Sequence, residues 1–341
     1  LPMTQEDIRD IKTLLNAPKK IVIVPHKNPD GDALGATLAL EHFLKKQHHD
    51  AVVISPNDYP DFLKWLPNES NILKYDSQLD TCNTLINEAQ IIFTLDFNAL
   101  NRAGDMASAL ESSSAVKIMI DHHQQPDDYA QYVYSDVNMS STCEMVYHFI
   151  TSLDDKNLID EKIATCLYTG IMTDTGSFRF PSTTSDTLRV AAFLMDCGAN
   201  HAEIHNQIFD TNSYDRMQLL GQALSNLKVI PESRTAYISL SQEELQEHNF
   251  KKGDTEGFVN YALSLNDVVF AAIFIEDRQQ EIIKISLRSK GSFSVNEFAR
   301  AHFDGGGHIN AAGGKSETNL KSTIDKFISI LPSYNKALNN D

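Results

Sequence analysis

An α/β fold is predicted, with a parallel N-terminal sheet, a helical connector and a smaller α/β C-terminal domain built on a mixed sheet. Three observations predict it. Short β-branched runs alternate with helical patterns through the first part of the chain, the stretch 141–227 reads as helical, and strand patterns return beyond it. At 341 residues the chain exceeds one ordinary core. The expected division is a first domain over residues 1–198, a connector over 199–227 and a second domain over 228–341.

The first strand is Ile21-Val22-Ile23-Val24, a continuous apolar run suited to burial on both faces. It opens into Pro25-His26-Lys27-Asn28-Pro29-Asp30-Gly31-Asp32, dense in turn formers, and a helix is expected over 33–47 with Asp32 placed to cap it. Further strands are expected at 51–55, at 91–95 ending on Asp96, and at 116–120 running into Asp121-His122-His123. A helical stretch over 102–110 separates the last two. Residues 163–172 carry helical spacing into Asp174, and 187–197 continue it with Gly198 as the C-cap. Strand patterns recur at 235–240, 268–275 and 282–287. A glycine-rich segment, Gly305-Gly306-Gly307-His308, precedes a final helix from about Leu320.

Composition narrows the function classes. Apolar residues make up 42% of the chain, enough for packed cores, and no segment approaches the ~20 apolar residues of a membrane span. No charged-then-apolar leader is evident, so no signal peptide is expected, and Met3 reads as the native start with Leu1 and Pro2 ahead of it. Cys82, Cys143, Cys166 and Cys197 form no C-x-x-C pair and are expected to be free thiols in a reducing cytoplasm. The formal net charge of −17 argues against holding long duplex nucleic acid. A small anionic substrate stays open, given bound cations or a local basic pocket.

Four places share one layout, an apolar segment followed by His or Asp: His26/Asp30/Asp32, Asp96, Asp121/His122/His123 and Asp174. Parallel strands deliver their carboxyl ends to one sheet edge, so the first three groups can converge there. Asp174 would reach that edge from a helix or the loop after it. Taken singly, each group is a turn or a cap. A calcium loop starting at Asn28 fails because Ala33 and Ala39 stand where Gly and Glu are needed, and a P-loop fails for want of Gly-Lys-Ser/Thr. Together they point to a metal site. Two divalent ions about 3.5–4 Å apart need a shared carboxylate and several separate ligands. His and carboxylate without thiolate points to manganese or magnesium, with zinc or cobalt as alternatives. Four carboxylates against two dications leave such a site near neutral, and a hydroxide held between the ions can attack phosphorus in line with its leaving oxygen.

In order and spacing, His26-x-x-x-Asp30-x-Asp32, Asp96, Asp121-His122-His123 and Asp174 resemble the four motifs of the DHH phosphoesterase superfamily. Gly305-Gly306-Gly307-His308 resembles the glycine-histidine motif of its DHH-associated C-terminal domain. The resemblance implies that His26, Asp30 and Asp96 bind one metal, and that Asp32, Asp96, His122 and Asp174 bind the other. His123 would face the phosphate and Asp121 would orient the motif from behind; His123, Asp121 and His308 form the implied catalytic set. The resemblance also implies a cleft between the domains. The architecture is similar to the stand-alone nanoRNase and pAp phosphatase group. That implies hydrolysis of short single-stranded RNA to mononucleotides and of 3′-phosphoadenosine 5′-phosphate to AMP. A soluble diadenylate phosphodiesterase is the nearest alternative; a nucleotide- or RNA-binding module on a dead scaffold is the alternative from another class. No membrane partner is expected, and a homodimer stays open.

The C-terminal half is expected to set the substrate. A glycine-rich loop lets backbone N–H groups approach phosphate oxygens, and His308 adds a donor or proton carrier. Arg288-Ser289-Lys290 lies upstream, Arg288 suited to bidentate phosphate contact and Lys290 adding charge. Other signals weigh less. His201 and His205 are spaced as a helical metal pair but lack a carboxylate partner, and His48-His49-Asp50 is expected to be solvated. Phe178-Arg179-Phe180 reads equally as core aromatics around an exposed Arg or as a base and phosphate contact.

Overall fold

The computed structural model describes residues 3–340, so Leu1 and Pro2 ahead of Met3 lie outside it. The chain divides into two compact units, one up to Thr211 and one from Asn212.

In the first unit, α1 (Gln5–Leu14) is opened by a capping box between Thr4 and Asp7. Strand β1 (Lys20–Val24), helix α2 (Gly31–Lys46), β2 (Asp50–Ser55), β3 (Leu73–Lys74), α3 (Leu79–Glu88) and β4 (Ile91–Leu95) follow. Then come α4 (Ala107–Ser112), β5 (Val116–Asp121), β6 (Tyr132–Ser135), α5 (Thr142–Ser152), α6 (Glu161–Asp174), α7 (Ser185–Asp196) and α8 (His201–Phe209). All six strands are parallel, in the order β3-β2-β1-β4-β5-β6. Successive side chains of β1 point to opposite faces. Ile21 and Ile23 pack with α2, α5 and α6, whereas Val22 and Val24 pack with α3 and α4. Both faces are covered, which is why these strands read as unbroken apolar runs.

The second unit contains α9 (Tyr214–Ser225), β7 (Lys228–Ile230), β8 (Thr235–Leu240), α10 (Gln242–Glu247), α11 (Phe258–Leu263), β9 (Phe270–Asp277) and β10 (Ile282–Ser289). It continues with α12 (Val295–His302), β11 (Gly306–Gly307), β12 (Ala311–Ser316), α13 (Leu320–Ile330) and α14 (Asn335–Asn339). The sheet order is β11-β12-β10-β9-β8-β7. Only β8 and β9 pair in parallel; the other pairs are antiparallel, so the sheet is mixed. An aromatic core of Phe270, Phe274, Phe298 and Phe327 covers one face, and α9, α10 and α11 cover the other.

Several local expectations change. The stretch 199–227 is two helices, because Ser213 starts α9 anew by accepting the Arg216 N–H. Asp30, not Asp32, caps α2: its Oδ1 accepts from the N–H groups of Asp32 and Ala33, both at 3.0 Å. That releases the Asp32 carboxylate for other work. The helical stretch at 102–110 is broken by Gly104, at φ 59°. His49 is buried rather than solvated, and its Nδ1 accepts the Lys19 N–H at 3.1 Å. All four cysteines are free, and Cys82, Cys143 and Cys166 are buried.

Candidate metal centre

Strand order fixes where the candidate residues meet. From β1 the chain winds outward through β2 to β3, and from β4 outward through β5 to β6, so the winding direction reverses between β1 and β4. Open α/β sheets hold their ligands at that reversal, beyond the carboxyl ends of the strands. His26 and Asp30 follow β1, Asp96 follows β4, and Asp121 ends β5 with His122 and His123 after it. Asp32 enters from the first turn of α2, and Asp174 is the last residue of α6.

Within the first unit, donor atoms converge in three groups that could hold a metal ion: His26/Asp30/Asp96 and Asp96/Asp121/His123, which share Asp96, and Asp32/His122/Asp174. His26 Nε2 lies 3.4 Å from Asp96 Oδ2 and 3.9 Å from Asp30 Oδ2. His122 Nε2 lies 3.3 Å from Asp174 Oδ2, 3.5 Å from Asp96 Oδ1 and 3.7 Å from Asp32 Oδ2. Asp96 is therefore the residue common to both imidazoles. Its backbone is left-handed, at φ 64°, a conformation that Asp adopts more readily than most residues. The Asp96 N–H is held by the Ile120 carbonyl at 3.1 Å.

The supporting contacts define the tautomers. His26 Nδ1 is 2.8 Å from the Lys27 carbonyl and His122 Nδ1 is 3.1 Å from the Met139 carbonyl. A carbonyl only accepts, so each Nδ1 carries the proton and each Nε2 turns toward the carboxylates. His123 differs. Its Nδ1 donates to Asp121 Oδ1 at 2.6 Å and its backbone N–H donates to Asp121 Oδ2 at 2.9 Å. Asp121 is fully buried and holds His123 by both groups. The ring and turn are thus fixed from the sheet side. Asn98 secures the same turn by donating to the carbonyls of His123 and Gln124.

Asp32 is seated on the start of α5. Its two oxygens accept from the N–H groups of Thr142 at 2.7 Å and Cys143 at 2.8 Å, where the helix dipole favours negative charge. Thr142 Oγ1 also donates to Asp96 Oδ1 at 3.0 Å. These α5 contacts and the Met139 carbonyl were not singled out from the sequence. The available signal was Ser141-x-x-Glu144 before an apolar run, which marks a helix N-terminus. What such a terminus would bind is not written in the motif.

Electrostatics test whether a cation suits the cluster. Burial raises the Asp32 pKa well above the carboxylate range, and the charges of Asp96 and Asp174 push the same way. Burial would also raise Asp96, but hydrogen bonds with His122 and His26 outweigh it and hold that carboxyl well below its usual value. Burial pulls His26 and His122 down, yet their carboxylate neighbours win and raise both, His122 strongly. The cluster draws in positive charge. A proton on each Nε2 meets part of that demand, and a divalent ion at the same nitrogens meets more. His and carboxylate donors with no thiolate among them fit Mn2+, Mg2+ or Zn2+.

In the second unit the expected substrate contacts lie close together around β10 and β12, where Arg288 pairs with Ala311. Arg288 Nη1 donates to the Leu287 carbonyl at 3.0 Å. Ser289 turns into its own loop, donating to the Phe293 carbonyl at 2.6 Å and accepting from Asn310 at 2.9 Å. Lys290 Nζ donates to the Val268 carbonyl at 2.8 Å. Gly306 and Gly307 form β11, next to Gly305, and pair with Gly313 and Ala312. The Gly307 N–H goes to Asn296 Oδ1 at 2.9 Å and the His308 N–H to the Ala311 carbonyl at 2.7 Å. Those two amides are engaged within the loop.

The chain is similar to several known proteins. An exopolyphosphatase-related protein from Bacteroides fragilis, solved by crystallography, is 40% identical with a TM-score of 0.93, over 98% of each chain. The bifunctional oligoribonuclease and PAP phosphatase NrnA of Thermus thermophilus is 32% identical over 92% of this chain and 89% of its own. The probable bifunctional oligoribonuclease and PAP phosphatase NrnA of Streptococcus mutans is 29% identical over 90% of this chain and 93% of its own. Residues 20–171 match the DHH family, N-terminal domain, and residues 234–336 match the DHHA1 domain. With both domains present in that order and a full-length relative above 30% identity, the chain belongs to the DHH family.

Proposed function

We propose that the chain is a metal-dependent phosphoesterase that hydrolyses short oligoribonucleotides to mononucleotides and 3′-phosphoadenosine 5′-phosphate to AMP. The carrying observation is the convergence of four carboxylates and two Nε2-directed imidazoles at the reversal point of the parallel sheet. The kinship with proteins named as oligoribonuclease and PAP phosphatase supports the substrate class. His26, Asp30 and Asp96 would hold one ion, and Asp32, Asp96, His122 and Asp174 the other, manganese being the expected metal. Such a pair supplies Lewis acidity and an activated water for in-line attack on phosphorus.

The chain's own groups do the rest. His123, with its Nδ1 proton donated to Asp121, would carry a second proton on Nε2 toward a leaving oxygen. The Asp121 carboxylate stabilises the imidazolium so formed. Arg288, Lys290 and the Gly305–His308 loop are read as the phosphate-binding side, with residues 1–198 as the catalytic domain and 228–341 as the substrate domain. Among the described residues no helix is long and apolar enough to cross a membrane. We place the enzyme in the cytoplasm, where its short RNA and nucleotide substrates occur.

One assay tests this reading: manganese-dependent hydrolysis measured side by side on pAp, RNA from dinucleotide upward, linear and cyclic diadenylate, and pyrophosphate. Dinucleotide and pAp should be turned over fastest. Asp32→Ala should abolish that turnover while the protein stays folded. Undiminished turnover in Asp32→Ala would sink the two-metal mechanism, and a preference for cyclic diadenylate or pyrophosphate would sink the substrate assignment.

A further inference from the structure

The chain leaves α6 by an unusual route. Directly after Asp174 and Thr175, the residues Gly176, Ser177 and Phe178 have φ of 55°, 62° and 64°. Glycine adopts this region without penalty, but Ser and Phe do not, and consecutive left-handed residues persist only where their surroundings dictate it. Those surroundings are specific. The Ser177 N–H is held by the Met172 carbonyl at 2.8 Å, and the Phe178 N–H by Thr175 Oγ1 at 3.0 Å. The Arg179 and Phe180 N–H groups both go to the Thr175 carbonyl at 3.0 Å. Ser177 Oγ donates to His205 Nε2 at 3.0 Å, because His205 Nδ1 already donates to the His201 carbonyl at 2.7 Å. His205, held by the His201 carbonyl, thus braces the turn.

The turn sorts its side chains. Phe178 goes inward, edge-on to Tyr168 at 5.8 Å between ring centroids. Arg179 and Phe180 go outward, and Phe180 keeps 37% of its surface exposed. Its ring lies over the Gly176 backbone so closely that a Cβ there would sit 2.5 Å from Cζ. Arg179 Nε donates to the Gly176 carbonyl at 2.8 Å, which fixes the start of the guanidinium. A strained, hydrogen-bonded turn thus presents one cation and one aromatic ring, five and six residues after Asp174.

We propose that Arg179 and Phe180 form a nucleotide subsite beside Asp174, with the Phe180 ring stacking on a nucleobase and Arg179 taking a phosphate oxygen. The proposal rests on the phosphoesterase reading above and names how that enzyme recognises a nucleotide. Every base has a π face, so an aromatic platform accepts any base, as a degrader of short RNA requires. A guanidinium fork matches phosphate geometry. In a chain of net charge −17, an exposed cation on the turn that follows Asp174 also lowers the repulsion an anionic substrate meets.

The test is equilibrium binding of AMP and of ribose 5-phosphate to the full chain with manganese, followed by calorimetry, alongside dinucleotide and pAp turnover. Phe180→Ala should weaken AMP about tenfold, the scale of one base–aromatic stack, and leave ribose 5-phosphate within about twofold. Phe180→Trp should restore AMP. Arg179→Ala should weaken both ligands by a similar factor. An unchanged ratio of AMP to ribose 5-phosphate affinity in Phe180→Ala, or unchanged binding of both ligands in Arg179→Ala, overturns the subsite. If wild type hydrolyses dinucleotide and pAp while the ratio stays put, the subsite fails and the phosphoesterase reading stands. If wild type hydrolyses neither yet Phe180→Ala loses the AMP preference, the subsite stands and that reading fails.

Discussion

Thr142 gives both of its donors to the carboxylate cluster, its N–H to Asp32 and its Oγ1 to Asp96. The hydroxyl proton fixes which Asp96 oxygen is left for other partners. Removing such an outer contact typically weakens metal binding by 10- to 100-fold. Thr142→Val keeps the shape and the N–H but loses the hydroxyl. Manganese affinity, measured by titration calorimetry, should fall by about tenfold, and the melting temperature should change little. Thr142→Ser should behave like wild type. The convergence of the candidate residues was readable from the sequence because His26, Asp96 and the Asp121–His123 triplet each follow an apolar run that ends at the sheet edge. Thr142, Cys143 and Met139 were not, since two act through backbone groups that any residue owns. Asp30 and Asp32 show the same limit from the other side. Both suit a cap, and only the start of α2 decides that Asp30 caps while Asp32 is released.

Among the elements, α2, α5 and α6 must approach closely for Asp32 and Asp174 to reach one point. Glycine makes that approach: a Cβ on Gly170 would sit 2.1 Å from Cys143 Sγ and 2.8 Å from Asp32 Oδ1. Gly170 lies one helical turn before Asp174, so pushing α6 outward moves a carboxylate as well as a helix. Gly170→Ala should cost about 1–3 kcal/mol by overpacking, read from denaturant unfolding, and should weaken manganese binding too. Adding Cys143→Ala should recover part of both losses, because it removes the sulfur that the new methyl meets. The strand pattern and the helical spacing of α6 were legible, whereas this contact was not. Helix-to-helix distance is a tertiary property, and a mid-helix glycine in sequence only lowers confidence in the helix.

For the first unit as a whole, the buried carboxylate cluster carries an electrostatic cost. Asp32 has its pKa raised by burial and by the charges of Asp96 and Asp174, so the folded unit prefers it protonated. The sign follows: between the ordinary carboxylate pKa and the raised one, the folded state binds more protons than the unfolded state. The Asp32 contribution to the stability of the cation-free unit therefore rises as pH falls through the raised value, and it is lowest above it. Asp174→Asn relieves part of this repulsion at neutral pH. It should raise the melting temperature in chelator by about 2–4 °C and reduce the rise that manganese gives the wild type. A lower melting temperature in chelator would show that Asp174 stabilises the fold rather than opposing it. The order and type of the elements that create this crowding were largely legible in the sequence. The cost was not, because it depends on distances across four chain segments.

Those segments have a consequence for when the activity can begin. The donors run from His26 to Asp174, and the α5 groups that seat Asp32 lie between them at 142 and 143. A growing polypeptide on the ribosome holds only part of the set until α6 has left the exit tunnel. Until then the cluster has no Asp174. An enzyme that cuts RNA would thus emerge beside ribosomal and messenger RNA in an inert form. The late arrival of one aspartate, at position 174, delays completion of the cluster.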